Sequence, residues 1–225
     1  VDISLLQPDF TLETRLWESG YRVVGIDEAG RGAWAGPLFV GAVWLKPQHV
    51  VALADIRDNI KDSKLLTSRQ RVEIYRHLIS WGIEYAVGDA QPHEIDQHGL
   101  EKAFEIASAR AFHSLIAQGL LEFPLAEGSP LAVLIDGRRY ADIKPIPNLE
   151  IFAEDKLDNA SVAVALASIC AKVHQETNSH GLHFIYPEYG FDRHHGYPTA
   201  AHREAVEKYG LSHQHRKSWK VNGSE

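Results

Sequence analysis

At 225 residues, with 44% hydrophobic and 24% charged side chains, the chain is long enough for one substantial core and far from the composition of a disordered polymer. No apolar run reaches the length of a bilayer span, and the opening VDISLLQPDF lacks the basic region and hydrophobic core of a signal peptide, so no membrane partner and a cytoplasmic protein are expected. The net charge of -7 excludes indiscriminate nucleic-acid binding, although Arg193 to Lys220 holds six Lys/Arg against two Glu, a local +4 beside -11 for the remainder.

YRVVGID, residues 21–27, reads as a short buried strand and PLFVGAVWL, residues 37–45, as a second, separated from it by the glycine-rich turn GRGAWAGP. TSRQRVEIYRHLISWG then places Val72, Tyr75 and Ile79 at helical spacing beside Ile74 and Leu78, with Thr67 or Ser68 to cap the helix and Gly82 to close it. IEYAVGDA, residues 83–90, follows as a strand. A long helix is predicted from His98 to Ala117, where Leu100, Ala103, Phe104, Ala107, Ala111 and Leu115 form one stripe. EGSP breaks the chain before LAVLIDG, residues 131–137, a buried strand that ends, like the first, in an Asp. NASVAVALASICAKVHQE, residues 159–176, is a second long helix whose small side chains allow close packing on a sheet; its Cys170, the one cysteine, reads as a buried thiol. After Gly181, aromatic, His and basic residues thicken into a helical appendage. The alternation of strands and helices predicts an α/β sheet with helices on its faces.

Asp27 and Asp136 each end an apolar strand, and in open α/β sheets ligands bind at that edge. As parallel neighbours the two strands would bring these carboxylates together. Asp158 precedes the second long helix, where it is either a helix cap or a third acid at the same edge, with Glu154 and Asp155 competing for that place. Glu28 completes a group of four. Asp before Gly is also ordinary turn chemistry, but adjacent Asp27 and Glu28 repel each other unless a cation or partner neutralises them. Oxygen ligands without a His/Cys cluster select Mg²⁺ or Mn²⁺ over Zn²⁺, and two such ions roughly 3.5–4 Å apart suit in-line phosphodiester hydrolysis. The turn GRGAWAGP has neither the Lys-Ser/Thr ending of a P-loop nor the dinucleotide fingerprint. Taken alone it reads as a tight turn; next to two acids, its exposed backbone groups gain a second reading, as contacts to a phosphate backbone or sugar.

Taken together, these residues resemble ribonuclease HII, a family of the type 2 ribonucleases H, over nearly the whole chain. GIDEAGRGAWAGPLFVGAV is similar to the family's opening motif, DSKLLTSRQR to its second block, LIDG and DNASVAVALASICAKV to its two later acidic segments, and YPEYGFDRHHGYPTAAHREAV to its C-terminal signature. The resemblance implies a ribonuclease H-like mixed sheet flanked by helices over residues 1–180, and a C-terminal helical substrate-binding segment over 181–225. It implies a monomeric endoribonuclease that uses Mg²⁺ or Mn²⁺ to cut the RNA strand of RNA/DNA hybrids and to incise duplex DNA 5′ to embedded ribonucleotides, leaving 3′-hydroxyl and 5′-phosphate ends. Ribonucleotide excision repair is the process it implies.

Carried over position by position, Asp27, Glu28, Asp136 and Asp158 are the catalytic metal ligands. Gly30, Arg31 and Gly32 read the ribose 2′-hydroxyl through their backbone, Tyr197 packs on the neighbouring deoxyribose, and Lys64 meets a phosphate. The 2′-hydroxyl is what separates RNA from DNA, and a flat ring can reject an extra oxygen on the next sugar. A core tyrosine is the plain alternative for Tyr197, and a solvated surface lysine the alternative for Lys64. The chain departs from the family pattern at Ala33-Trp34, where Pro-Leu is common, and at Leu65 and His195, where Lys is common. Leu65 removes a candidate phosphate contact, and His195 makes charge pH-sensitive. Two other classes stay open at this level: a protein that binds hybrids without cutting them, and an unrelated metal-dependent phosphotransferase.

Overall fold

The computed structural model describes residues 7–117, 130–137, 143 and 148–219. Five strands, β1 (Arg22–Ala29), β2 (Leu38–Leu45), β3 (Glu84–Ala90), β4 (Leu131–Asp136) and β5 (Leu149–Glu154), form one sheet in the order β3-β2-β1-β4-β5. β1, β4 and β5 run parallel, whereas β2 pairs antiparallel with both β1 and β3. The sheet is therefore mixed, and the two strands that end in Asp are parallel neighbours, with Ile26 opposite Ile135 one step before the acids.

Eight helices surround it among the described residues: α1 (Thr11–Glu18), α2 (His49–Leu53), α3 (Ser68–Ser80), α4 (Pro92–His98), α5 (Leu100–Ala117), α6 (Val162–Ile185), α7 (Phe191–His194) and α8 (Ala200–Tyr209). Successive strand residues point to opposite faces, and the two faces build separate cores. Val23, Val43 and Leu45 pack with α3 and α6 on one side. Val24, Ile26, Val40 and Ala42 pack with Phe104, Ala107, Ala111 and Phe112 of α5 on the other. Gly25 and Gly41 let α6 lie directly on β1 and β2, because a Cβ at either position would collide with the main chain of Ala163 or Ala167. The small-residue composition of α6 is thus a close-packing device, and its Cys170 is a buried free thiol.

The long helices and the first four strands match their sequence signals. Thr67 caps α3 through a reciprocal box with Gln70. One local reading needs correction: Asp158 does not cap α6. The cap is Ser161, whose hydroxyl accepts from the Val164 N–H, and Asp158 sits before it in a 3₁₀ turn, Leu157–Asn159. The EGSP break, apart from Pro130, lies outside the described residues.

The predicted boundary at residue 180 falls inside α6, so the C-terminal segment grows from a helix of the main core. It adds a small core of its own, in which Leu182, Tyr189, Phe191 and Ala205 pack around Ala35 of the glycine-rich turn. No helix among the described residues is long and apolar enough to cross a membrane.

Candidate active site

Parallel pairing of β1 and β4 brings their C-terminal acids to one edge. Asp27 and Asp136 both lie on the α6 face of the sheet, and the turn before α6 delivers Asp158 to the same point. One carboxylate oxygen from each of Asp27, Asp136 and Asp158 lies within 4.8 Å of the others. Asp27 and Asp158 are buried and Asp136 is half-buried. Glu28 stands outside this trio, because on a strand the residue after Asp27 must point to the other face. It remains close enough to raise the pKa of both Asp27 and Asp136. The rival acids Glu154 and Asp155 are exposed and not part of the cluster.

This arrangement strains the polypeptide electrostatically. Burial, then the charges of Glu28 and Asp136, push the Asp27 carboxyl well above the usual range, against a hydrogen bond from Ser168. Asp136 is raised by burial and by Glu28, with the backbone N–H groups of Leu157 and Asp158 opposing. Asp158 is pushed up to about 6, by burial first and by Asp136 next. Oδ1 of Asp136 is buried without a hydrogen-bond partner among the described residues. Converging carboxylates with raised pKa values and an orphaned acceptor fit a hard divalent cation, which prefers oxygen ligands and would remove the repulsion. In the second sequence block, the Asp62 side chain accepts from the Lys64 N–H at 2.9 Å. The Lys64 ammonium is exposed; burial pulls its pKa down, but Asp62, Asp27, Asp158 and Asp136 outweigh this and leave it raised. Leu65 is exposed beside it. Ser63 is buried and shares a 2.9 Å hydrogen bond with Ser168, which ties this block to the helix that contacts Asp27.

The glycine-rich turn begins directly after β1. Gly30 adopts φ +88°, a conformation that favours glycine, and Gly32 is exposed. A residue that sequence reasoning missed holds this turn. Arg216, fully buried, donates to the carbonyls of Gly30 at 2.7 Å, Arg31 at 2.9 Å and Gly36 at 3.1 Å. Burial pulls its pKa down to about 10, so it stays a cation. Its only sequence signal is membership of the basic C-terminal run, which says nothing of a partner 180 positions earlier. The N–H groups of Trp34 and Arg216 extend the link, to Gly196 O at 2.8 Å and Trp34 O at 2.7 Å.

Tyr197 is half-buried, which removes the reading of it as a core residue. Its ring edge lies 3.8 Å from where a Cβ of Gly32 would stand, and the Lys172 ammonium sits 4.9 Å from the ring centre. Arg31 is ion-paired with Glu101 at the start of α5. His195 adopts a left-handed conformation, packs against His180, and burial lowers its pKa.

Residues 24–222 match the family model described as Ribonuclease HII. A curated ribonuclease HII of Roseiflexus castenholzii is 39% identical over 210 residues, covering 93% of this chain and 87% of the relative. The crystal structure of the ribonuclease H2 from Pyrococcus horikoshii superposes with a TM-score of 0.62 at 28% identity, over 89% of this chain and 94% of that one. A structure of Bst-RNase HIII in complex with Mn²⁺ shares the fold at a TM-score of 0.68 and 19% identity, over 90% of this chain and 68% of that one. By its sequence match over nearly its full length and its fold, the chain belongs to the ribonuclease HII family and is a metal-dependent nuclease with ribonuclease H activity.

Proposed function

We propose that this enzyme hydrolyses the RNA strand of RNA/DNA hybrids and incises duplex DNA on the 5′ side of embedded ribonucleotides, leaving 3′-hydroxyl and 5′-phosphate ends. The observation that supports this most directly is positional. The acid trio and the Arg216-held glycine turn meet within a few residues of each other at the end of β1.

In this reading Asp27, Asp136 and Asp158 hold Mg²⁺ or Mn²⁺ with Glu28 as a further ligand, and Mn²⁺ in the fold neighbour supports that choice. Two bound ions would supply a lowered pKa for the attacking water and charge stabilisation for the leaving 3′ oxygen. Asp158, with its pKa pushed up to about 6, would have to be deprotonated to serve as a ligand. Gly30, Arg31 and Gly32 present backbone groups to the ribose 2′-hydroxyl, and Arg216 keeps that surface from reorganising when substrate arrives. Tyr197, packed beside Gly32, covers the adjacent deoxyribose, and Lys64 offers its exposed ammonium to a phosphate. Residues 181–225 then act as a substrate-binding segment of a monomeric, cytoplasmic enzyme serving ribonucleotide excision repair. A buried free thiol as the sole cysteine agrees with a reducing compartment.

The test is incision of duplex DNA carrying one ribonucleotide, with Mg²⁺, with Mn²⁺ and with chelator, beside the all-DNA duplex. Metal-dependent cutting confined to the 5′ side of the ribonucleotide is expected. Cutting of the all-DNA duplex, or cutting in chelator, would overturn the assignment.

A further inference from the structure

Two histidines that the chemistry does not use face each other inside the C-terminal segment. His202 of α8 is fully buried, His215 is 1% exposed, and their Nε2 atoms are 3.0 Å apart. Two imidazole nitrogens bond to each other only if one holds a proton and the other a lone pair. The outer partners decide which. His202 Nδ1 lies 3.0 Å from the Tyr197 carbonyl, which only accepts, so the His202 proton is on Nδ1 and its Nε2 is the acceptor. His215 Nδ1 receives the Ser212 N–H at 3.0 Å, so its proton is on Nε2 and is donated to His202. The result is a directed chain from Ser212 through His215 and His202 to the main chain of Tyr197, with both rings neutral.

That chain joins the two halves of the surface beside the acids. His215 pairs with Ala35 of the glycine turn in an isolated antiparallel bridge. Tyr197 has its N–H on His194 O at 2.9 Å, and its carbonyl also takes the Thr199 N–H at 2.8 Å. His194 stacks on His202 at 4.4 Å; Trp34 and Phe191 flank His202, and Tyr189 covers His215 at 4.9 Å. Arg203 lies over Trp34, and Arg216 follows His215 into the turn.

We propose that His202 and His215 are positioning residues for junction discrimination: their relay fixes the Tyr197 ring against Gly32 and thereby sets the preference for a single embedded ribonucleotide over a continuous hybrid. This rests on the reading of Tyr197 given above. The relay requires neutrality, since a second proton on His202 would set two N–H groups against each other.

The experiment measures kcat/KM on a duplex with one ribonucleotide and on a long hybrid for wild type, His202→Phe, His202→Asn and Tyr197→Ala. His202→Phe keeps a ring but cuts both bonds. The expected result is a fall of about tenfold in the ratio of the two values, the size of one ordinary hydrogen bond. His202→Asn keeps a donor toward the Tyr197 carbonyl and is expected to restore most of the ratio, which loss of packing alone would not predict. A ratio within twofold of wild type for folded His202→Phe, or no rescue by Asn, overturns the proposal. Should His202→Phe fail to fold, His215→Gln, which retains a donor near the Nε2 position, is expected to hold the wild-type ratio, and His215→Leu to lose it. Loss of the ratio in Tyr197→Ala but not in the His202 and His215 variants sinks the relay alone. No loss in Tyr197→Ala sinks the junction reading itself.

Discussion

The acid trio and the glycine turn stand next to each other and are built on opposite principles. Asp27, Asp136 and Asp158 repel one another, their pKa values are raised, and an oxygen of Asp136 is buried without a hydrogen-bond partner. The turn from Gly30 to Gly36 is held from the C-terminal segment: Arg216 donates to three of its carbonyls, and Gly196 and Gln214 accept from the N–H groups of Trp34, Ala35 and Gly36. One region leaves a free-energy cost for a cation to relieve; the other removes in advance the reorganisation that a ligand would otherwise impose. The difference teaches that the acid cluster is electrostatically incomplete without a cation, whereas the conformation of the glycine turn is held by the polypeptide itself.

Asp27→Asn breaks the comparison most sharply. Loss of a ligand from the trio should reduce cleavage by about 10³-fold or more, because the nucleophile and leaving group lose the charge that stabilises them. The same change should stabilise the protein in chelator, since Asn keeps the acceptor for the Glu28 N–H and removes a buried charge. A gain of roughly 1 kcal/mol, or about 2–4 °C in Tm, is the expected scale. A variant that cleaves, or that melts lower than wild type in chelator, contradicts the account of the trio as electrostatically strained.

Arg216→Ala acts on the other region and should do the reverse. It leaves the carboxylates in place but strips three carbonyls, two of them in buried hydrogen bonds, of their Arg216 donor, with a cost on the order of 3 kcal/mol. Thermal melting with and without Mg²⁺ checks it: the loss should be similar in both conditions, because the turn needs no metal. A loss confined to the metal-bound form would show that the two regions are not independent.

Most of the sheet and the convergence of Asp27 and Asp136 were legible in the sequence, because apolar runs ending in Asp at β1 and β4 are local signals. β5 was missed: none of its residues is fully buried and Glu150 and Glu154 are exposed, so it lacks the long apolar run of β1 and β4. α1 was missed as well, although its Glu13 is buried against Ser161 and the Ala163 N–H, a contact 150 residues away that no local pattern announces. Of the two readings offered for Asp158, the structure places it beside Asp27 and Asp136 and gives the cap to Ser161, three residues later. Arg216, His202 and His215 looked like parts of a basic, histidine-rich tail. Their meaning lies in carbonyls and rings brought together by the fold, which composition does not encode.

Acid should separate the two regions in metal-free protein. Asp158 has a folded pKa of about 6 against 3.8, so the folded state binds its proton first, and its repulsion is relieved as pH falls through 6. His202 and His215 have folded pKa values of about 4 against 6.5, lowered by burial. There the unfolded state binds protons first, so the stability they confer is present above pH 6.5 and is lost as pH falls from 6.5 to 4. Amide hydrogen exchange between pH 7 and 4.5 should therefore show protection falling around Tyr197 and Trp34 while the ends of β1 and β4 hold. Parallel loss in both regions would mean that the histidine cluster is not a separate unit.

The smallest expected effect concerns the Arg31 side chain, which leaves the turn to meet α5. Its guanidinium pairs with Glu101, both partly exposed, and its Nη1 is buried without a hydrogen-bond partner among the described residues. An exposed pair of this kind is worth about 0–1 kcal/mol, so Glu101 is a weak competitor for a cation that a nucleic-acid phosphate would bind. Glu101→Gln should leave Tm nearly unchanged and tighten hybrid binding about two- to fivefold at low salt, with the gain vanishing as salt screens both attractions. A salt titration of binding in Ca²⁺ or chelator, where cleavage does not interfere, checks the sign. Weaker binding by Glu101→Gln would mean that Glu101 orients Arg31 for the phosphate, and the recognition surface would then be pre-organised down to its last exposed side chain.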